Sequence, residues 1–299
     1  MKSLQVTGKK RRLRNRIELL DIIIFIILLA ITLAIILPFL NVLAISFSTQ
    51  KDFMDSRFML IPKKVTFANY KAILQDGRLW VGYRTTLIFL MIGVPLNLFL
   101  TTSMAYGLSQ PGFPLRKFFI YFIIFTMMFN GGIIPLYLLM KQINLINTIW
   151  SVILGAGLNS FYLIIMRNYF MSLPSSLVES ARLDGANEWQ ILFRIIIPIS
   201  MPIIATITLF YSVDRWNEWY FAMIFIRKNE LVSLQLALRS IVMEGQASQH
   251  FNYTDVNAIE FSDGMKMGAV LCTMLPIMCV FPFLQKHFVK GILLGAIKA

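Results

Sequence analysis

Six long apolar runs decide most of what this chain can become. They lie at roughly 19–47, 84–108, 117–140, 148–170, 195–226 and 267–285. An α-helix crosses the hydrocarbon of a bilayer with about 20 consecutive apolar residues, and lipid offers no partner to a bare peptide group, so each run must satisfy its own backbone. A soluble fold would have to hide all six runs at once. Composition argues against that: 57% of the 299 residues are hydrophobic and 14% charged, whereas ordinary soluble domains carry about 25% charged residues. The expectation is an all-α integral membrane protein with six transmembrane helices. It reads as one domain over 19–299, preceded by a basic segment, 1–18.

Seven Lys and Arg fall within the first 16 residues, directly before the first run. The positive-inside rule then places the N-terminus in the cytoplasm, and six crossings return the C-terminus to the same side. A basic stretch beside a first span serves orientation, so no nucleic-acid partner is expected. The first run is longer than the ~7–15-residue core of a cleavable signal and lacks a small-x-small site, so it should remain as a span. Cys272 and Cys279, seven apart in one apolar run, read as small packing residues.

On this topology 48–83, 141–147 and 227–266 face outward. Thr66 is placed to cap a short helix carrying Phe67, Tyr70, Ile73 and Leu74 on one face, either lying on the bundle or meeting a partner. The last outer loop, with "EGQASQHFNYTDVN", reads equally as a functional loop or a disordered one.

The cytoplasmic stretch 171–194 has a different texture. Pro174 ends the fourth span. Ser176 and Glu179 have capping-box spacing, which predicts a helix from Ser176 with Leu177, Val178 and Ala181 on one side. Asp184-Gly185 supplies a turn, and Asn187 with Gln190 predicts a second cap. Trp189, Leu192, Phe193 and Ile196 then form a stripe at helical spacing that runs into span five. The result is a helix, a hinge and a helix, clamped to two spans. An interfacial hairpin is the plainer alternative.

The order Glu179-Ser180-Ala181, Gly185 and Ile195-Ile196-Ile197-Pro198 resembles the EAA motif of permease subunits in binding-protein-dependent ABC importers. Ser180 stands where that motif has Ala, and Ile197 where it has Leu. "DGANEWQILFRIIIPISMPIIATI" resembles the sugar-importer branch with its maltose-type permeases. "NGGIIPLYLLMKQINLINTIW", "YLIIMRNYF" and the tail "LQKHFVKGILLGAIKA", with Lys290, Gly291, Gly295 and Lys298, are similar to the subgroup importing aldouronates, alginate fragments and related oligosaccharides. The resemblance implies a type I ABC importer permease fold in a bacterial cell membrane, with a coupling helix in segment 175–194 that docks on a cytoplasmic ATPase. It assigns coupling to Glu179, Ser180, Ala181, Asp184, Gly185, Ala186, Trp189 and Pro198. It implies as partners a second, similar permease, two ATPase subunits that hold ATP and Mg, an extracytoplasmic binding protein and an oligosaccharide. No cofactor is then expected in this chain.

Span five carries Asp214, Arg215 and Glu218 in an apolar run of about 32 residues, longer than the ~20 that one crossing needs. Either the span stops near Val213 or these charges line a polar cavity, since charge at membrane depth is costly and commonly functional. Spacing lets Arg215 meet Glu218 and the face of Trp219. An oligosaccharide path needs hydrogen-bonding groups beside aromatic rings. Tyr211, Asp214, Arg215, Trp216, Asn217, Glu218, Trp219 and Tyr220 supply both, although an interfacial aromatic belt with salt-bridged ends uses the same residues. Asn130, beside Gly131, Gly132 and Pro135, marks either a break in span three or a close helix contact. Asn159, Tyr162 and the Arg167-Asn168 pair in span four are further pathway or orientation candidates. There is no G-x-x-x-x-G-K-[ST] sequence, His250 and His287 have no metal-site spacing, and no Ser or Cys has a convincing base. Catalysis and a metal site are therefore not expected. The rival readings are a proton-coupled secondary carrier using Asp214 or Glu218 and a membrane-embedded hydrolase using the same carboxylates.

Overall fold

The computed structural model describes residues 19–56, 58–250 and 262–296. The basic segment 1–18, residues 251–261 of the last outer loop and Lys298 of the tail lie outside them. The described residues are mostly helical, with no strand among them.

Three helices are each long and apolar enough to cross a membrane: Leu20–Ser46, Arg78–Ser109 and Asp263–Val280. Three further apolar stretches are bent helix pairs, each long enough to cross only if its two halves count as one span. Arg116–Met128 and Ile133–Gln142 meet at 112°, Ile149–Gly155 and Ser160–Met171 at 54°, and Glu188–Ile199 and Met201–Trp216 at 88°. Counting each bent pair as one span gives six apolar crossings among the described residues, three of them broken where the hydropathy pattern is continuous. The polar loops had masked the true ends of two others, since span two begins at Arg78 and the last helix runs Ser262–Ala296.

Two of the breaks have a local cause. In span three, Asn130 Oδ1 accepts the Gly132 N–H at 2.9 Å, and Gly132 takes φ +86°. A Cβ built at Gly131 or Gly132 would meet nothing within 4 Å, so these glycines serve the turn and not a close helix contact. In span five, Pro198 has no N–H to offer and would crowd the preceding turn. The helix widens there: Ile197 N–H bonds back five residues to the Leu192 carbonyl, and the bend follows at Ser200. Pro202 then sits in the first turn of Met201–Trp216, where a missing N–H costs nothing.

The segments that the sequence assigns to outer loops carry more helix than expected. Ala68–Asp76 forms with Thr66 Oγ1 accepting the Ala68 N–H. Only part of its predicted stripe is buried: Ile73 packs with Leu79, Leu234, Ala237, Ile241 and Ala269, while Phe67 and Leu74 stay exposed. The loop after span five contains a 17-residue helix, Leu234–His250, where a functional or disordered loop was expected. Its buried Leu234, Ala237 and Ile241 follow helical spacing.

Candidate functional site

Segment 174–199 is a helical hairpin. Its first helix, Ser175–Leu183, starts one residue earlier than predicted, with Pro174 at the cap and no side-chain capping bond. The Ser176–Glu179 capping box does not form, because proline's fixed φ already sets the helix entry. The helix closes with two C-terminal bonds: Ala186 N–H to the Ala181 carbonyl and Gly185 N–H to the Arg182 carbonyl, both 3.0 Å. That closure needs a left-handed residue, and Gly185 has φ +80°. The second cap forms as predicted. Asn187 Oδ1 accepts the Gln190 N–H and Gln190 Oε1 accepts the Asn187 N–H, each at 2.9 Å. Glu179, Ser180, Asp184, Gly185, Trp189 and Pro198 are exposed, Ala186 is half-buried and Ala181 is buried. Leu183, at the hairpin's tip, is 90% exposed.

The other side of the hairpin is fastened to the bundle. Ala181, Ile191, Leu192 and Ile196 pack with Ala105, Tyr106, Met166 and Phe170 from spans two and four. Of the predicted stripe, Leu192 and Ile196 are therefore inward. Trp189 and Phe193 lie on the surface and continue a ring stack from Phe99, with centroids 6.3 and 6.0 Å apart.

A polar bracket spans the turn, and sequence reading missed it. The Tyr106 hydroxyl donates to Glu188 Oε2 at 2.6 Å, Arg182 Nε donates to Glu188 Oε1 at 3.0 Å, and Arg182 Nη2 donates to Gln110 Oε1 at 3.0 Å. Donating to Glu188 pushes the Arg182 pKa above its already high value, and the bonds from Tyr106 and Arg182 hold the Glu188 carboxyl below its usual range, so the two stay paired as opposite charges. These residues also wall a cleft of about 490 Å³ between the hairpin and the Phe113-Pro114 turn. Glu188→Ala removes the bond from Arg182 across the hinge and the bond from Tyr106 on span two, and is expected to cost about 1 kcal/mol because the ion pair is half exposed. Glu188→Gln keeps an acceptor for Tyr106 and should cost less. Thermal unfolding of the purified protein measures both.

The residues assigned to a substrate path do not form one surface. Tyr211 and Arg215 are buried, Asp214, Asn217 and Tyr220 are exposed, and Trp216, Glu218 and Trp219 lie between. The helix ends at Trp216, with Asn217 as its cap. The predicted Arg215–Glu218 pair does not form: Glu218 Oε1 instead accepts the Phe221 N–H at 2.8 Å, at the start of Tyr220–Phe225. Nor does Arg215 meet Trp219; Arg239 from the missed outer helix lies 4.3 Å over that ring. Asp214 accepts the Tyr162 hydroxyl at 3.0 Å. Asn159 Oδ1 caps Ser160–Met171 by accepting from Phe161 and Tyr162 N–H groups, and Asn130 is occupied with the turn in span three. Arg167 Nε donates to the Leu108 carbonyl, which ties span four to the end of span two. Among the described residues no three His, Cys, Asp or Glu side chains come together as a metal site would require.

The family described as binding-protein-dependent transport system inner membrane component matches residues 90–294. The chain is 36% identical over 287 residues to the polygalacturonan/rhamnogalacturonan transport system permease protein YtcP of Bacillus subtilis (strain 168), covering 96% of this chain and 100% of the relative. It is 37% identical over 263 residues to protein LplC of the same organism, covering 88% and 89%. Among solved structures it resembles a bacterial ABC transporter involved in the import of the acidic polysaccharide alginate. The TM-score is 0.83 at 31% identity, over 90% of this chain and 96% of that one. The all-α importer-permease fold expected from the sequence is the fold observed. The resemblance first read from Glu179 to Pro198 thus extends along nearly the whole chain, which belongs to the family of binding-protein-dependent transport system inner membrane components.

Proposed function

We propose that this chain is one of two paired membrane subunits of an ATP-driven importer and forms half of the path for an oligosaccharide. An extracytoplasmic binding protein delivers the sugar. Two cytoplasmic ATPases bind and hydrolyse ATP with Mg, and this chain itself is not the enzyme. The observation that carries the reading is the hairpin: an exposed apolar tip at Leu183, on a body bolted to spans two, four and five. A purely interfacial hairpin has no use for so firm a mounting. A contact that transmits force requires it, because a push on the tip must tilt the spans and not bend the turn.

The substrate class follows from the relatives, named for polygalacturonan, rhamnogalacturonan and alginate transport. The basic N-terminus puts both termini in the cytoplasm, and the hairpin then lies on the ATPase side. Uptake of a labelled oligogalacturonide digest by cells carrying the whole system tests the reading. Import should stop when the ATPase gene is deleted and persist for a time when the proton gradient alone is collapsed. Uptake that survives ATPase loss and falls with the proton gradient would establish a secondary carrier instead. Turnover of a glycan by the purified chain alone would establish a hydrolase.

A further inference from the structure

The break in span four has a consequence for transport. Where the chain passes from Gly155 to Ser160, the two halves diverge by 54°. Such a break frees the last carbonyls of one half and the first N–H groups of the other. Asn159 Oδ1 takes the Phe161 and Tyr162 N–H groups, and span five takes the carbonyls and the Asn159 N–H. Arg215, 1% exposed, donates from Nη1 to the Val152 carbonyl at 3.1 Å and from Nη2 to the carbonyls of Ile153 and Ala156 at 2.8 and 2.9 Å. One turn earlier, the Tyr211 oxygen accepts the Asn159 N–H at 3.1 Å.

Both residues are also tied to span two. Arg215 Nη2 donates to Asn97 Oδ1 at 3.1 Å, and the Tyr211 hydroxyl shares a 2.6 Å hydrogen bond with Thr101 Oγ1. Positions 97 and 101 share one helix face, as do 211 and 215. The contacts therefore make two rungs, one on each side of the break. Gly93 leaves room for the upper rung: a Cβ there would stand 3.0 Å from Arg215 Nε.

Among the described residues Arg215 forms no ion pair. The Glu218 and Asp214 carboxylates act on its charge only from beyond contact distance, and every hydrogen bond it makes goes to a neutral group, which for a guanidinium withdrawn from water is an expensive way to fill space. What it achieves, and an apolar side chain does not, is to grip several carbonyls at once. The lower half of span four leads through Ser172 and Leu173 into the coupling hairpin, and the hairpin leads into span five. Both ends of the lever therefore feed this clamp.

We propose that Arg215 and Tyr211 are positioning residues of the transport stroke, locking the break in span four so that its two halves move as one body when the hairpin is driven. The inference rests on the importer reading given above. It also removes these two side chains from the list of direct sugar contacts.

Pulsed EPR on the purified complex tests it. Spin labels go on Trp150→Cys and Met171→Cys, both exposed and on opposite sides of the break, with Cys272 and Cys279 replaced by serine. Distances are read without nucleotide and after trapping with ATP and vanadate. The expected result is one narrow distance, the same in both states. Arg215→Met and Tyr211→Phe should broaden it and make it differ between the states, while Arg215→Lys restores part of the narrow distribution. A wild-type distance that changes on trapping, or variants as narrow as wild type, would overturn the proposal. If Arg215→Met does not assemble, Tyr211→Phe and Thr101→Val, each losing one hydroxyl, decide the question. A narrow wild-type distance in a complex without ATP-driven uptake would count against the importer reading and leave the clamp standing.

Discussion

Gly185→Val is expected to leave the chain folded and inserted while abolishing its co-purification with the ATPase. The reason is conformational. Gly185 has φ +80°, and a Cβ at this position would meet nothing within 4 Å, so there is no clash to relieve. The strain arises within the residue itself, because an L side chain in the left-handed region costs about 1–2 kcal/mol and a β-branched one more. The cheapest escape is to change the turn. That unmakes the paired bonds from Ala186 to Ala181 and from Gly185 to Arg182, and it re-aims the tip relative to Glu188. The two flanking helices keep their own contacts with the bundle, so the damage stays local. Gly185→Ala should show a partial loss. Glu179→Lys, which reverses an exposed charge on the first helix, should weaken association without altering stability. A pull-down of the ATPase on tagged chain, with a melting curve for each variant, checks all three. Intact association of Gly185→Val would remove the hairpin from the contact.

Gly82→Leu should produce the largest loss of stability. A Cβ on Gly82 would stand 2.8 Å from Leu234 Cα and 3.2 Å from its nitrogen. Backbone cannot step aside as a side-chain end can, and the Leu234 N–H is itself held by Thr86 Oγ1 at 3.0 Å. Overfilling a packed contact typically costs about 1–3 kcal/mol, and here the obstacle is rigid, so the upper end is expected. Gly268→Ala is the informative contrast. Its nearest obstacle, at 2.7 Å, is Ile73 Cδ1, the tip of a flexible side chain, so the loss should be smaller. Thermal unfolding in detergent ranks the two. Amide exchange across Leu234–Met243 should rise in Gly82→Leu and stay near wild type in Gly268→Ala.

The hairpin was legible because its signals are local. Asn187 and Gln190 sit three apart, Asp184-Gly185 marks a turn, and Pro198 ends a regular helix, and each physical rule acts within a few residues. The apolar runs were legible for a similar reason, since lipid compatibility is a property of consecutive residues, although three of the runs fold as two helices each. The breaks in spans four and five were not, because hydropathy averages over a window and a residue such as Ala156 or Ser200 barely lowers it. The helix Leu234–His250 was missed although Leu234, Ala237 and Ile241 carry helical spacing. The polar sequence beyond Glu244 drew the whole region into one loop. Arg215 shows the limit most clearly. Sequence offered Glu218 and Trp219 as neighbours, whereas its partners lie about 60 and 118 positions away, on spans four and two. The bracket of Tyr106, Arg182 and Glu188 joins three separate segments and left no pattern to read.

Site-directed cross-linking at Leu183 tests the central claim most directly. With Cys272 and Cys279 replaced by serine, Leu183→Cys places one thiol at the tip of the hairpin, on a side chain that is 90% exposed in the isolated chain. In intact cells the thiol should be closed to membrane-impermeant maleimide added outside. In the purified complex it should cross-link to the ATPase with a short bifunctional reagent. Labelling from outside, or a complex in which the ATPase is present and Leu183→Cys cross-links only to lipid or to the other permease, would contradict the account.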